Sequence, residues 1–201
     1  VISIFGGTGF IGSELIDNLS KKKIEIRIFT QSKKKLKYFS KLPNVKLFFY
    51  KYPKDVQSNI SGSDVIINLV GILHESRTHK FDDAHQEFTK NIIDIAIKEK
   101  VKRYIHLSAL KSDTPGNSKY LASKNDSEIA IERHYTQGNW TILRPSVVFG
   151  EKDSFINLFK RMIKYLPLIF LISPHAKFQP IYVKDLAHII ELTLYDTKSF
   201  S

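Results

Sequence analysis

Three side chains of this sequence have the types and the spacing needed to move a proton at a ligand oxygen. Tyr120 and Lys124 lie four residues apart, which puts them on one face of a helix. A phenol has a reference pKa of about 10, so it transfers protons at neutral pH only when a neighbouring cation favours its phenolate. We expect Lys124 to be that cation and Ser108 to hydrogen-bond the ligand oxygen. A Tyr-x-x-x-Lys pair is common on exposed helices, so this acid–base interpretation depends on its surroundings.

A second constellation is the glycine-rich segment Gly6-Gly7-Thr8-Gly9-Phe10-Ile11-Gly12 near the start of the chain. It follows the apolar run 1–5 directly and precedes apolar residues at helical spacing. Glycines permit a tight turn, and a backbone without Cβ atoms can approach a pyrophosphate whose charge is met by the N-terminus of the next helix. The segment predicts a dinucleotide phosphate site, the alternative being a simple glycine hinge.

The end of the second predicted strand bears on which dinucleotide is bound. NAD-specific proteins place an acidic residue about 20 positions beyond the glycines, where it holds the ribose 2′-hydroxyl. This chain instead has Thr30-Gln31-Ser32-Lys33. No carboxylate repels a 2′-phosphate there, and Ser32 and Lys33 could bind one, so we expect NADP(H) to be preferred over NAD(H). Alternatively, lysines 33–35 only solvate a helix N-terminus, although cations there oppose the helix dipole.

These residues need elements to position them, and the apolar pattern supplies alternating strands and helices. Strand-length runs occur at 1–5, 24–29, 45–50, 64–70, 103–108 and 140–143. Helical patterns occur at 10–22, 32–41, 81–99, 118–137 and 184–194. Runs that are apolar almost throughout are typical of parallel strands covered by helices on both faces. The pattern predicts an α/β fold, a Rossmann-type doubly wound parallel sheet with helices on both faces.

The last quarter of the chain has a different pattern, interrupted by prolines. We predict an NADP(H)-binding Rossmann domain over 1–150 and the start of a small, incomplete C-terminal region for substrate or partner over 151–201. The longest apolar run, 165–172, is far shorter than the roughly 20 residues that span a bilayer. We expect a buried loop or strand there, with contact to a membrane or a partner as the alternative.

The composition limits the class of protein. The chain has 201 residues, of which 42% are hydrophobic, and no cysteine, so it can bury a substantial core but cannot use disulfides or thiolates. Its net charge of +11 is concentrated in residues 1–60, which hold 12 lysines and arginines against 4 acids. This field would attract anionic ligands, acidic partners or anionic lipid headgroups. Specific nucleic-acid binding is disfavoured, because no aromatic stacking platform is interleaved with the lysines.

Other polar and aromatic residues have simpler interpretations. The spacings of His74, His79, His85 and His106 do not resemble metal-ligand pairs, so no metal site is predicted. Trp140 and the run 48–50 are interpreted as packing residues.

Several strings together resemble the short-chain dehydrogenase/reductase superfamily, in its extended or atypical branch. They are the glycine loop at 6–12, Ser108, the Tyr120–Lys124 pair and the segment 143–150. Within that superfamily, the segments 68–73, 106–110, 118–120 and 178–185 are most similar to the nucleotide-binding accessory subunit of respiratory complex I and its bacterial relatives.

The resemblance implies a role for each matching residue. Gly6, Gly9 and Gly12 would hold the pyrophosphate, Val70 and Gly71 would line the ribose side, and Tyr120 and Lys124 would face the nicotinamide ribose. The full set of expected cofactor-binding residues is Gly6, Gly7, Thr8, Gly9, Phe10, Ile11, Gly12, Thr30, Ser32, Lys33, Leu69, Val70, Gly71, Tyr120, Lys124, Pro145, Ser146, Val147 and Val148, the last four near the carboxamide.

The chain departs from the superfamily at two places. His85 stands where many of the enzymes have an active-site asparagine, and it is either a buried core histidine or a proton relay. The lysines at 33–35 lie where the subunit family commonly has an arginine for the 2′-phosphate.

The resemblance implies an NADP(H)-binding accessory subunit of complex I, whose cofactor serves stability or regulation rather than turnover. Its partners would be complex I subunits, and its location the matrix side of the mitochondrial inner membrane or the cytoplasmic side of a bacterial one. It would be peripheral, with membrane contact through the basic first half or residues 165–172. One alternative is an active NADP-dependent reductase, dehydratase or nucleotide-sugar epimerase that uses Ser108, Tyr120 and Lys124. A basic interaction module without cofactor is a third interpretation, which the intact glycine loop disfavours.

Overall fold

The structure is a computed structural model that describes residues 1–32, 36–73, 75, 80–136, 138–153, 155–165 and 177–199. Its centre is a sheet of six parallel strands in the order β3-β2-β1-β4-β5-β6. The strands are β1 (Ile2–Phe5), β2 (Ile26–Thr30), β3 (Val45–Phe49), β4 (Val65–Asn68), β5 (Arg103–Leu107) and β6 (Asn139–Leu143). The predicted doubly wound sheet is confirmed.

Helices connect the strands and cover both faces of the sheet. They are α1 (Phe10–Leu19), α2 (Leu36–Phe39), α3 (Gln57–Ile60), α4 (Phe88–Lys98), α5 (Lys119–His134), α6 (Phe155–Tyr165) and α7 (Val183–Thr193). A π-helical segment, Asp82–Glu87, leads into α4, and short 3₁₀ turns occur at Pro53–Val56 and Thr197–Ser199. A small pair of parallel strands, β7 (Val148–Phe149) and β8 (Ile181–Tyr182), lies outside the main sheet.

Successive side chains of each strand point to opposite faces of the sheet and pack into two separate hydrophobic cores. Ile4 and Ile28 pack with Leu15 and Leu19 of α1 and with Ile190 of α7 on one face. On the other face, Phe5 and Phe29 pack among side chains from α4 and α5. Because both faces are covered by helices, the central strands are buried throughout, which explains their nearly unbroken apolar sequences.

The strand register brings the site-bearing loops to one edge of the sheet. Phe5 at the end of β1 pairs with Phe29 on one side and Asn68 on the other, and Asn68 pairs with His106. The order of the strands reverses between β1 and β4, so a crevice opens at the carboxyl ends of these strands, where such sheets bind ligands.

Some details differ from expectation. The structure describes helix only at Leu36–Phe39 within the predicted 32–41, and the helix at Phe155–Tyr165 was not predicted. The predicted buried segment 165–172 lies outside the described residues except for Tyr165, which is exposed at the end of α6. The domain boundary at residue 150 stays a prediction.

The packing prediction for the aromatic residues is largely confirmed. Phe48, Tyr50 and Trp140 pack against the core, whereas Phe49 is about half exposed. Within the described ranges, no helix is both long and apolar enough to cross a membrane.

Candidate dinucleotide site

The glycine segment after β1 forms a backbone cradle that side chains would fill. Gly6 has a φ of +74°, and a Cβ there would lie 2.9 Å from the carbonyl carbon of Leu69 at the end of β4. A Cβ on Gly12 would lie 2.5 Å from the Cα of Gly7. Position 6 must be glycine because the loop there passes close to the backbone that follows β4. Position 12 must be glycine because α1 there packs closely against the loop.

Helix α1 begins directly behind this cradle with its N-terminus uncapped by any side chain. Gly9 is the N-cap residue and makes no side-chain capping bond, and the first turn carries no acidic residue. The backbone N–H of Gly9 donates to the Gly6 carbonyl over 2.9 Å and closes the turn. The N–H groups of Phe10, Ile11 and Gly12 are the type of donors that meet a pyrophosphate at a helix N-terminus.

A cleft of about 210 Å³ opens on the β2 side of the cradle. Its lining comprises Gly6, Thr8, Phe29, Thr30, Gln31, Ser32, Tyr50, Leu69, Val70 and Gly71. The hydroxyls of Thr8 and Thr30 lie 3.1 Å apart, and the Ser32 backbone N–H donates to the Thr30 hydroxyl over 3.1 Å. The cleft therefore brings together seven of the predicted cofactor residues and adds Phe29, Gln31 and Tyr50, whereas Lys33 lies outside the described residues.

On the β4–β5 side, Lys124 is buried against the sheet. Its Nζ donates to the backbone carbonyls of Leu107, over 3.0 Å, and Val70, over 3.4 Å. Burial lowers the pKa of Lys124 to about 8, an effect that Glu128 partly offsets. A Cβ on Gly71 would lie 3.1 Å from the same Nζ. The lysine thus ties α5 to the ends of two strands.

Tyr120 lies one helical turn before Lys124 in α5. Burial raises the pKa of Tyr120. The ammonium of Lys124 donates to the main-chain carbonyls of Val70 and Leu107. That Lys124 favours the phenolate of Tyr120 stays a prediction.

Ser108 follows β5 immediately and is 4% exposed, and its hydroxyl has no hydrogen-bond partner in the described part of the chain. Its backbone N–H donates to the carbonyl of Leu143, and that of Leu110 donates to the carbonyl of Pro145. These bonds hold the segment after β6 against the segment after β5. A buried hydroxyl without a partner is costly, so this position suits a polar ligand.

The segment from Pro145 to Val148 continues across the end of the sheet. The carbonyl of Val147 accepts from the N–H of Ile181, and Val148 pairs with Ile181 in the small sheet. A Cβ on the following Gly150 would lie 3.2 Å from the Phe10 ring at the start of α1. Ser146, Val147 and Val148 are half-buried.

His85 lies in the π-helical segment and is 1% exposed. Its Nε2 accepts the N–H of Ile72 over 3.0 Å, and its Nδ1 lies 2.8 Å from the Ser123 hydroxyl. Burial and then the charge of Lys124 lower its pKa to about 3. The partner at Nε2 is a backbone N–H, which does not pass a proton on, and this fits a buried core histidine rather than a proton relay.

Sequence reasoning missed two positioning residues. The buried Asn68 accepts the N–H of Val70 at its Oδ1 and donates to Thr89 and Tyr104, which shapes the turn after β4. The buried Glu128 accepts from Ser112 over 2.6 Å and from Arg144 over 2.6 Å, and so anchors the segment after β5. A polar residue at the end of a buried apolar run was the available signal for Asn68.

The fit of a dinucleotide to this site rests on these observations. The cradle leaves room only for glycines, the start of α1 has open donors, and Ser108 has an unpartnered hydroxyl. In the residues that the structure describes, no group of three or more His, Asp or Glu is arranged to hold a metal ion.

Comparisons with known proteins agree with the geometry. Residues 6–158 match the protein family described as NAD(P)H-binding. The chain is 30% identical to "NADH dehydrogenase (ubiquinone) 1 alpha subcomplex subunit 9, mitochondrial" of Dictyostelium discoideum, over 100% of this chain and 57% of that protein. It is also 30% identical to the protein of the same name from Arabidopsis thaliana, over 99% of this chain and 51% of that one.

The chain spans about half the length of the curated relatives it matches. Among solved structures, Pen from Bacillus thuringiensis superposes with a TM-score of 0.83 at 21% identity, covering 98% of this chain and 65% of that one. At this identity the likeness shows the fold alone.

Proposed function

Because the chain belongs to the NAD(P)H-binding family and has a short-chain dehydrogenase/reductase-like fold, we propose that it binds NADP(H) as part of an accessory subunit of respiratory complex I. The dinucleotide serves stability or regulation rather than turnover. The assignment to complex I is supported by relatives that are named as subunits of NADH dehydrogenase (ubiquinone).

The observation that carries the non-catalytic role is the burial of Tyr120 together with the hydrogen bonds that Lys124 donates to the main chain. Burial raises the pKa of the phenol, and the ammonium donates to the carbonyls of Val70 and Leu107. A phenol with a raised pKa is a poor base at neutral pH. Lys124 instead has one N–H left for a ligand hydroxyl, since an ammonium carries three.

The chain's own residues would hold the dinucleotide in three places. The N–H groups at the start of α1 would meet the pyrophosphate, Thr30 and Ser32 the adenosine ribose and its 2′-phosphate, and Lys124 the second ribose. When bound, the nicotinamide would supply a hydride donor or acceptor beside Ser108 and Tyr120.

The preference for NADP(H) is supported by the sequence between Glu25 and Asp55, which contains no acidic residue. A carboxylate at the end of β2 would repel the 2′-phosphate, whereas the Ser32 hydroxyl and the adjoining lysines would attract it.

An NADP-dependent reductase, dehydratase or epimerase is the second candidate function. It is favoured by one observation, the buried and unpartnered hydroxyl of Ser108 at the carboxyl end of β5. In that role Ser108 would hydrogen-bond a substrate oxygen and Tyr120 would exchange its proton. Binding of the dinucleotide would then have to lower the pKa of Tyr120 substantially.

The proposed location is the matrix side of the mitochondrial inner membrane, with complex I subunits as partners. Helix α6 supports a docking role, since Leu158, Ile163 and Tyr165 are exposed apolar residues on it and Lys160 and Lys164 are exposed cations. The basic first half of the chain would add attraction to acidic partners or anionic lipid headgroups. Residues 166–172 lie outside the described part.

The test is to purify the protein with its native partners, identify the nucleotide it carries, and compare the wild type with Tyr120→Phe. We expect bound NADPH, copurifying complex I subunits, and unchanged assembly in the variant. Turnover that disappears in Tyr120→Phe would support the enzyme instead, and an assembly defect from this change would contradict the proposal. A protein without nucleotide that NADPH does not stabilise would overturn both candidates.

A further inference from the structure

A chain of three hydrogen bonds links the loop after β4 to helix α5 through His85. The N–H of Ile72 donates to His85 Nε2 over 3.0 Å, and His85 Nδ1 lies 2.8 Å from Ser123 Oγ. The Ser123 hydroxyl in turn lies 2.8 Å from the backbone carbonyl of Tyr120. The hydrogen-bond chain therefore ends at the backbone of Tyr120, one of the predicted site residues.

The direction of these bonds defines the tautomer of His85. A carbonyl can only accept, so the single hydroxyl proton of Ser123 goes to Tyr120, and Ser123 Oγ must accept from His85. Nδ1 therefore carries the imidazole proton. Independently, the N–H of Ile72 requires a lone pair at Nε2. The hydrogen bonds at both ring nitrogens therefore indicate the same neutral tautomer, with the proton on Nδ1.

The packing around His85 places this link beside Gly71 and Lys124, two of the predicted cofactor-binding residues. A Cβ on Gly71 would lie 3.5 Å from His85 Nε2 and 3.1 Å from Lys124 Nζ, so the Gly71 backbone rests on both side chains. The ring of His85 stacks on Phe81, with centroids 5.7 Å apart, and meets the Tyr120 ring edge-on, also at 5.7 Å. These contacts leave His85 1% exposed.

The topology of the sheet indicates which half of the dinucleotide would lie next to the hydrogen bonds of His85. The adenosine ribose belongs to the β2 side, where the sequence after the glycines determines the 2′ contact. The pyrophosphate lies at the start of α1, so the other half of the dinucleotide must extend over β4 and β5. Gly71 follows β4, and the Nζ of Lys124 bonds to carbonyls just after β4 and at the end of β5, so both lie on this side of the sheet. The Tyr120 ring meets His85 beside them.

We propose that His85, as its Nδ1–H tautomer, is a positioning residue for the nicotinamide half of the dinucleotide. It ties Gly71 and Ile72 to Tyr120 before the ligand arrives, so binding need not order these segments. It is not a proton relay, because its Nε2 accepts a backbone N–H, which does not pass a proton on. This inference rests on the proposed dinucleotide binding.

The test compares two ligands on three proteins by calorimetry. NADPH occupies both halves of the site, whereas 2′,5′-ADP occupies only the adenosine half. His85→Phe keeps an aromatic ring against Phe81 and removes both hydrogen bonds. Ser3→Ala is the matched control, because it removes a buried hydrogen bond to Ser63 at the opposite end of β1.

We expect His85→Phe to weaken NADPH binding about tenfold, or about 1.4 kcal/mol. Binding of 2′,5′-ADP should change less than about twofold, and Ser3→Ala should change neither affinity. Equal weakening of both ligands by His85→Phe would make His85 merely structural and overturn the inference. Unchanged NADPH binding would overturn it as well.

Two further measurements separate this inference from the proposed function. Failure of the wild type to bind either ligand would refute dinucleotide binding itself, whereas binding with no effect of His85→Phe refutes only the positioning role. Two-bond ¹H–¹⁵N spectra of the free wild type should show the Nδ1–H tautomer of His85 at neutral pH. The Nε2–H tautomer or an imidazolium would overturn the inference without any ligand.

Discussion

Replacing Gly6 by alanine tests whether the cradle depends on a close approach of two backbones. Gly6 and Gly62 both have positive φ, +74° and +76°. A Cβ on Gly6 would lie 2.9 Å from the carbonyl carbon of Leu69 and 3.0 Å from Val70 N, whereas a Cβ on Gly62 meets nothing within 4 Å. Gly62→Ala therefore carries the conformational penalty alone and serves as the matched control.

The expected magnitudes follow from these contacts. The left-handed conformation costs an alanine roughly 1–2 kcal/mol at either position. Forcing the β4 backbone away from Gly6 adds about 1–3 kcal/mol, as for other overpacked sites. Gly6→Ala should lower the free energy of unfolding by about 2–5 kcal/mol, and Gly62→Ala by about 1–2 kcal/mol. For a chain of this size, the difference corresponds to about 2–12 °C in Tm.

Urea and thermal unfolding of both variants give the stabilities, and calorimetry gives the affinity for NADPH. Displacement of the loop should also weaken NADPH binding at least about tenfold in Gly6→Ala, while Gly62→Ala should bind like the wild type. Equal losses of stability in the two variants, with NADPH binding intact in both, would refute the argument from backbone approach.

Three further outcomes are expected. Ser32→Asp should lower the affinity for NADPH relative to NADH by at least about tenfold at low salt, because a carboxylate repels the 2′-phosphate. An equal loss of affinity for NADPH and NADH would contradict the proposed preference for NADP(H). The pKa of His85 is lowered in the folded state to about 3, so the unfolded chain binds its proton first, and stability should fall as the pH falls from about 6.5 to 3. His85→Phe should reduce this slope of urea-derived stability by up to about 1.4 kcal/mol per pH unit, and an unchanged slope would refute the assignment. Glu128→Gln should cost about 1–3 kcal/mol in urea unfolding, since Arg144 loses its buried carboxylate partner and keeps only the exposed Asp113. Glu151→Gln is an exposed control that should cost less than about 0.5 kcal/mol.

Much of the fold was predictable because its signals are local. Glycines at 6–12 can be read without knowing their neighbours, and an apolar run such as 65–70 indicates a strand buried on both faces. The residues lining the cleft, among them Thr8, Thr30 and Val70, follow from the rule that ligands bind at the carboxyl ends of parallel strands.

The electrostatics of the site were less predictable. The spacing of Tyr120 and Lys124 puts them on one helix face, as the sequence indicates, but spacing does not say what the ammonium contacts. In the structure its partners are the carbonyl of Val70, just after β4, and the carbonyl of Leu107 in β5, which lie 54 and 17 residues away along the chain. The same holds for His85, whose partners Ile72 and Ser123 belong to different elements.

The sequence by itself determined the class of fold, the position of the phosphate cradle and the absence of an acid near the expected 2′-phosphate. Only the tertiary structure decided which groups the ammonium of Lys124 contacts and which tautomer His85 adopts. It also decided that the hydroxyl of Ser108 is buried without a partner in the described residues. The physical reason is that periodicity and backbone freedom are properties of neighbouring residues, whereas desolvation and hydrogen bonding depend on segments that meet only when the sheet is assembled.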